Sequence, residues 1–368
     1  MTRPLSVLNV AFPFARVGPD AVGGAEQILS SLDFELVRAG HRSLVVAAEG
    51  SVTAGTLIPT PLPSGTITEL VSATTLRRHR DNVERVLDRY APDIVHLHGV
   101  DFLHYLPSAG VPVLVTLHMP PHYYPPEVFA LSRPDTFLQC VSRSQRRACP
   151  PASNLIREIP NGVAVDELAA RGSKRRYAMT LGRICPEKNQ HVALLAAHKA
   201  ELPLLLGGAV FGYELHQRYF WTQVKPQLDR TRRFLGPLKF ERKRRLLTGA
   251  RCLLHPTLAQ ETSSLVSMES LACGTPVVAF ASGALSHIVE PGVTGFLVRD
   301  ADEMADAARE AGRLDPEACR ETARRCFSRE RMLERYCEVY RTLAFAERNQ
   351  SLSATPGAEK DAARVANY

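Results

Sequence analysis

The sequence predicts an α/β chain built from two doubly wound parallel sheets, and three observations predict it. Short apolar runs alternate with amphipathic stretches of helical period through the first half, as in a parallel sheet wrapped by helices. The alternation stops across 160–176, where Pro160, Asn161, Gly162 and a basic polar stretch replace it. It then restarts and continues through Val298. A length of 368 residues suits two domains, since a single domain usually holds roughly 100–200 residues.

Each element follows from its local pattern. Leu5 to Phe12 is an apolar first strand, too short in its apolar core for a secretion signal. Ala25 to Ala39 places Ile28, Leu29, Leu32 and Leu36 on one helical face, and Gly40 ends that helix. Leu44 to Ala48 is the second strand, Arg77 to Tyr90 a helix, and Asp93 to His98 a buried strand. Val111 to Leu117 and Thr136 to Val141 complete the first sheet. In the second half the strands are Tyr177 to Leu181, Leu204 to Leu206, Thr231 to Leu235, Arg251 to His255, Val277 to Phe280 and Thr294 to Val298. Helices cover 189–199 and Arg242 to Gly249, and a turn spans Ser286 to Glu290. Arg329 to Leu343 sets Met332, Leu333, Tyr336, Val339 and Tyr340 at helical spacing, and the chain beyond 346 is small and polar. Open sheets of this kind bind ligands beyond the carboxyl ends of their strands, so two facing sheets imply an interdomain cleft.

Composition narrows the class. The apolar fraction is 45% and the charged fraction 23%, values of a soluble globular protein, and no apolar run is long enough to span a membrane. Eight cysteines are scattered with no C-x2-C pair and no Cys/His cluster of zinc spacing, which suits a reducing cytoplasm. Cys252 and Cys273 lie in apolar runs as small core residues. The net charge of +7 comes mainly from basic clusters at 77–80, 143–147, 174–176, 230–233 and 239–245. They lack interleaved aromatics and any nucleic-acid motif, so nucleic acid is not an expected partner. Solvated surface is the first reading, and peripheral contact with an anionic bilayer the second.

The chemistry concentrates in Glu261-Thr-Ser-Ser-Leu-Val-Ser-Met-Glu269, which runs into Ser270-Leu-Ala-Cys-Gly-Thr-Pro. This reads as a loop carboxylate, then a helix opened by hydroxyl residues, with a second carboxylate inside it and a glycine stop. Ser263 or Ser264 can cap that helix, leaving the amides of Ser263, Ser264 and Leu265 and the positive helix end aimed at an anion. An anion site flanked by carboxylates suits a ligand that joins phosphate to sugar. Arg183 and Lys188 follow a strand end on a loop shaped by Gly182 and Pro186, and supply two cations.

The segment resembles the E-x7-E element of the retaining glycosyltransferases of family 4, which have the GT-B fold. Further matches occur in the family's order: Gly23-Gly-Ala-Glu26, Thr116-Leu-His118, Ile159-Pro-Asn-Gly-Val163 and Leu181-Gly-Arg-Ile-Cys-Pro-Glu-Lys-Asn189. The resemblance covers most of residues 5 to 345. It implies an N-terminal acceptor-side domain at 1–165, a nucleotide-sugar domain at 176–328, and a helix at 329–346 crossing back to the first domain. A disordered tail at 347–368 is expected from composition.

The resemblance also implies roles. Glu261 binds the donor sugar's hydroxyls and Glu269 the ribose, while Arg183, Lys188 and the amides from Ser263 to Leu265 take the diphosphate. Gly23 and Gly24 let backbone approach that diphosphate from the opposite wall. His118 lies near the reacting centre, whereas His96 and His98 read as structural. The Met119-Pro-Pro-His-Tyr-Tyr-Pro-Pro126 loop is either a packed surface loop or a platform on which His122, Tyr123 and Tyr124 stack an acceptor sugar. After Glu261 the family carries an aromatic or cysteine and then glycine or serine. Here Thr262, Ser263 and Ser264 stand in that place, which changes the shape of the sugar pocket. No Asp-x-Asp motif follows a strand, so no metal and no cofactor is expected. The expected donor is a nucleotide-diphosphate hexose, and the acceptor a glycan, a lipid-linked molecule or a small molecule. A nucleotide-sugar epimerase and a non-catalytic nucleotide- or glycan-binding subunit are the alternatives. Substitution of Arg183 or Lys188 by alanine is expected to leave the unliganded melting point nearly unchanged.

Overall fold

The computed structural model describes residues 3–108, 110–170 and 172–353. Two compact units divide the chain. One runs through Pro160 and takes in the chain again from Met332, and the other holds Asn161–Arg331.

The first unit contains β1 (Ser6–Val10), α1 (Gly24–Arg38), β2 (Arg42–Ala48), β3 (Thr56–Thr60), α2 (Glu69–Tyr90), β4 (Ile94–Leu97), β5 (Val113–Leu117), β6 (Thr136–Cys140) and α3 (Arg143–Ala148). Its strands are all parallel in the order β3-β2-β1-β4-β5-β6, which reverses direction between β1 and β4. The central strands β4 and β5 are buried throughout and apolar except for His96 and Thr116, because both faces of the sheet are covered. Helix α1 buries Ile28, Leu29, Leu32 and Leu36 as their spacing predicts, and Gly40 (φ +79°) takes the left-handed turn after it. Helix α2 begins at Glu69 rather than Arg77. Residues 69–76 are rich in Ser, Thr and Val, weak helix formers, but Thr68 accepts the Val71 N–H at 3.3 Å and caps them. Strand β3 was not expected: it lies at the sheet edge, where Pro59 is tolerated.

The second unit contains α4 (Val165–Leu168), β7 (Ala178–Leu181), α5 (Gln190–Lys199), β8 (Leu204–Gly207), α6 (Glu214–Tyr219), β9 (Arg232–Phe234), α7 (Phe240–Gly249), β10 (Cys252–His255), α8 (Leu265–Ala272), β11 (Val277–Phe280), α9 (Leu285–Ile288), β12 (Gly295–Val298), α10 (Ala301–Glu310) and α11 (Pro316–Phe327). Its parallel order is β12-β11-β10-β7-β8-β9. Alternate strand residues feed two cores: Met179, Leu253 and Val277 pack with Leu271 of α8, while Ala178, Leu254 and Val278 pack with Met304 of α10. Cys252 and Cys273 are buried, as their apolar surroundings predict. Helices α10 and α11 were not anticipated, although both carry start signals. Asp300 accepts the Asp302 and Glu303 N–H groups at 2.9 Å, and Asp315 precedes Pro316 in the first helical position.

The last helix, α12 (Arg329–Ser353), belongs from Met332 onward to the first unit. Its fully buried Tyr336 and Tyr340 hydroxyls find partners on β4, β5 and β6. Tyr340 lies 2.6 Å from His96 Nδ1, and Tyr336 donates to Gln139 Oε1 at 3.1 Å. His96 Nε2 meets Thr116 Oγ1 at 2.7 Å, so His96 is structural, as expected. The helix runs through Ser353, which corrects the expectation of a tail from 347; residues 354–368 of that expected tail lie outside the described residues. Among the described residues no helix is long and apolar enough to cross a membrane.

Candidate functional site

In the second unit β7 and β10 are neighbours, with β8 beyond one and β11 beyond the other. Their following loops diverge at the point where strand order reverses, the position that opens a crevice in such sheets. After β7, Gly182 (φ +143°) turns the chain. Its carbonyl passes so close to Gly208 that a Cβ there would lie 1.8 Å away, so Gly208 must lack a side chain. A 3-10 turn, Pro186–Lys188, follows. The Glu187 carbonyl accepts the Leu258 N–H at 2.8 Å and the Thr257 hydroxyl at 3.2 Å, which fastens the β7 loop to the β10 loop.

That fastening brings together two residues expected to act on different parts of a ligand. Lys188 Nζ donates to Glu261 Oε1, with side-chain exposures of 22% and 9%. His255, at the end of β10, places Nε2 3.5 Å from the same oxygen. Burial would raise the Glu261 carboxyl, but the His255 hydrogen bond and the Lys188 charge outweigh it and hold it at about 2. The Glu261 backbone is fixed as well: its carbonyl accepts the Ala284 N–H at 2.7 Å, against Gly283 (φ +54°). Arg183, from the same β7 loop, is exposed and holds no ion pair among the described residues.

Helix α8 starts at Leu265 with Ser264 in the cap position, but the expected side-chain cap is not formed. The Ser264 hydroxyl donates instead to Ser267 Oγ at 2.9 Å, drawn inward beside His255. Ser263 Oγ is buried with no hydrogen-bond partner among the described residues. The first-turn amides therefore lack a capping oxygen from either serine, and Leu265 packs its side chain on the core. One turn on, Glu269 is buried and accepts from Lys243 Nζ of α7 at 2.5 Å. The 239–245 cluster is thus not wholly solvated, a correction to its reading as surface. Sequence reasoning missed Lys243 and His255. For His255 the signal was there, since it closes an apolar strand at its carboxyl end.

The remaining expected residues belong to the first unit. Gly23 precedes α1 and Gly24 opens it, after the reversal-point strand β1. The Glu26 carboxylate folds back over Gly23, so that a Cβ at Gly23 would lie 1.8 Å from Glu26 Oε2, and burial raises that carboxyl. An acid therefore faces the glycine turn. His118 follows β5 and is half-buried, with Nε2 3.1 Å from His98 Nδ1 and the rings stacked at 5.3 Å. Burial pushes His118 down to about 4 and His98 well below the usual histidine range, so both rings are neutral near pH 7. Gln145 of α3 donates to the carbonyls of Leu117 and Met119 at 2.7 and 2.8 Å, gripping both sides of His118. His122 and Tyr123 are exposed, with rings 4.7 Å apart. Tyr124 is a correction to the stacking expectation: it is buried in the core and its hydroxyl accepts the Met119 N–H at 3.2 Å.

Comparison with known proteins agrees with this architecture. The family model "Glycosyltransferase Family 4" matches residues 22–167, and "Glycosyl transferases group 1" matches 175–312. The D-inositol 3-phosphate glycosyltransferase of Mycolicibacterium smegmatis is 35% identical over 145 residues, 38% of this chain and 33% of that protein. The match spans about a third of the length of such curated relatives. Among solved structures, sucrose-phosphate synthase from Thermosynechococcus elongatus has a TM-score of 0.76 at 21% identity, covering 93% of this chain and 100% of that one. The Anabaena protein HepE in complex with UDP-glucose has a TM-score of 0.68 at 19% identity, covering 91% of this chain and 99% of its own. With family matches over both units and two Rossmann-like sheets of GT-B type, the chain belongs to the family 4-like glycosyltransferases.

Proposed function

We propose that the chain transfers a hexose from a nucleotide-diphosphate donor to a hydroxyl acceptor, with retention at the anomeric carbon and without a metal on the diphosphate. The observation behind this reading is the group of Lys188, Glu261 and His255 where the strand order reverses, beside the uncapped first turn of α8. Cleaving a sugar–phosphate bond builds negative charge on the departing diphosphate, and fixed donors aimed at that charge lower the barrier. Lys188, Arg183 and the amides of Ser263, Ser264 and Leu265 supply those donors. A charge-assisted hydrogen bond contributes roughly 1.5–3 kcal/mol, and each ~1.4 kcal/mol is tenfold in rate. Glu261, ionised and fixed through its backbone, accepts from the sugar hydroxyls, and Glu269 accepts from the ribose. In the first unit, His118 serves at the reacting centre as a neutral imidazole. His122 and Tyr123 remain the exposed groups for an acceptor, and Tyr124 has no such role. The UDP and UDP-glucose complexes of the Anabaena protein support the donor class.

The test is release of nucleotide diphosphate from a panel of nucleotide sugars in the presence of a chelator. A phosphorylated cyclitol, a lipid-linked acceptor and a simple glycan serve as acceptors. Acceptor-dependent release, with the product's anomeric configuration matching the donor's, is expected. Isomerised donor sugar without transfer would instead establish the epimerase reading, and failure of every nucleotide sugar to bind would remove the donor class altogether.

A further inference from the structure

We infer that Cys185, Glu187 and His216 form a binding site for a borderline-soft divalent cation of the zinc class. Cys185 enters the 3-10 turn after β7, Glu187 lies within that turn, and His216 comes from α6. One donor atom from each of the three residues lies within 4.8 Å of those of the other two. Tetrahedral zinc, with Zn–S near ~2.3 Å and Zn–N near ~2.0 Å, sets its ligands roughly 3.3–3.8 Å apart. The donor atoms thus lie no more than about 1.5 Å beyond that spacing.

The surroundings favour a ligand here. His216 is 6% exposed, and its Nδ1 is buried with no hydrogen-bond partner among the described residues. Its ring neighbours are Tyr213 at 5.1 Å and Phe211 at 6.2 Å. An unpaired buried nitrogen in aromatic surroundings is costly unless something occupies it. Cys185 is fully buried, while Glu187 is exposed and gives an ion its way in from solvent. Sulfur, imidazole and a single carboxylate select zinc, cobalt or a similar first-row ion over magnesium or calcium, which take oxygen ligands. Three protein ligands leave a fourth position for water. The spacing escapes a search for paired cysteines because the soft ligands are one thiol and one distant imidazole. A bound ion would tie α6 to the turn whose Glu187 carbonyl already fastens the β10 loop.

The experiment is titration of the untagged, metal-stripped chain with cobalt(II), followed by displacement with zinc(II). One equivalent of cobalt should give a thiolate-to-cobalt charge-transfer band in the near ultraviolet, lost on adding zinc, and zinc should raise the melting temperature. Cys185→Ser should abolish the band, while Cys149→Ser should retain it. Glu187→Gln alters an exposed side chain, so the fold is kept, and affinity should fall about tenfold or more. A band of unchanged strength in Cys185→Ser would overturn the site. If Cys185→Ser does not fold, Glu187→Gln decides alone, and wild-type affinity there would overturn it equally.

Discussion

Lys188 and Glu261 are bonded to each other across two loops of one sheet, although the family pattern gives one to the diphosphate and the other to the sugar. The pairing explains how an almost buried carboxylate stays ionised. Burial raises the carboxyl's pKa, and the His255 hydrogen bond and the Lys188 ammonium outweigh that. On the proposed reading, a diphosphate at Lys188 would lie beside an acid already bonded to the same lysine. Arg183 differs: exposed and without an ion pair among the described residues, it is available to a ligand without breaking an ion pair.

The two cations therefore separate in a stability measurement, contrary to the expectation that they behave alike. Arg183→Ala should change the unliganded protein by less than about 0.5 kcal/mol, as surface substitutions do. Lys188→Ala leaves Glu261 with only the 3.5 Å His255 contact, and should cost about 1–3 kcal/mol. Nucleotide diphosphate at 100 times its dissociation constant should stabilise the wild type by about 2.7 kcal/mol. Both variants should lose most of that, and a full ligand shift in either would remove that residue from the diphosphate site. Thermal melts with and without ligand, in chelator, make the comparison.

Glu261→Gln should keep nucleotide binding and lose most turnover, since the amide still fits but no longer accepts from two hydroxyls as an anion does. It also has a pH signature. The folded carboxyl sits at about 2, below its ordinary 4.5. Its contribution is therefore complete above about 4.5 and is lost as pH falls toward about 2. The melting-temperature gap between wild type and Glu261→Gln should be widest near about pH 7 and narrow steadily below about pH 4.5. A gap that widens in acid would contradict the ion pair.

Both sheets were legible because strands covered on two faces are nearly continuous apolar runs, and Val95, Val115, Leu205 and Val278 advertise that. The β7 loop and the E-x7-E segment were legible because glycine, proline and hydroxyl residues mark turns and helix starts whatever the rest of the fold does. Partners were not legible. Nothing local in the sequence says that Lys243 turns inward while Arg242 and Arg245 face solvent, or that Ser264 prefers Ser267 to a backbone amide. Those choices depend on packing between elements distant in sequence. Tyr124 failed for the same reason: adjacent tyrosines look alike in a proline-rich loop, and only the core behind β5 decides which is buried.

The two stacked histidines of the first unit give a second pH test. His118 is held at about 4 by burial, below its ordinary 6.5. A histidine depressed in this way favours the fold above about 6.5 and loses that contribution as pH falls toward about 4. His118→Gln keeps a hydrogen-bonding group next to His98 without a titrating one. The variant should show a shallower acid-side fall in melting temperature over that window and strongly reduced transfer near neutral pH. Unchanged transfer would leave His118 as a structural partner of His98 only.

The Lys243–Glu269 pair allows a sharper test, because its two members are predicted to act through one interaction. Both side chains are largely buried, at 19% and 10% exposure, and the ammonium reaches the carboxylate at 2.5 Å. If Glu269 receives the ribose, Lys243 matters by holding that carboxylate in place. Lys243→Ala, Glu269→Gln and the double variant should then weaken nucleoside diphosphate binding to a similar degree, with the double no worse than the weaker single. Contacting residues in one pair typically show coupling of about 0.5–3 kcal/mol, so the departure from additivity is measurable by calorimetric titration of the four proteins. Fully additive losses would show that Lys243 and Glu269 contribute independently, and normal nucleotide affinity in Glu269→Gln would remove the ribose assignment.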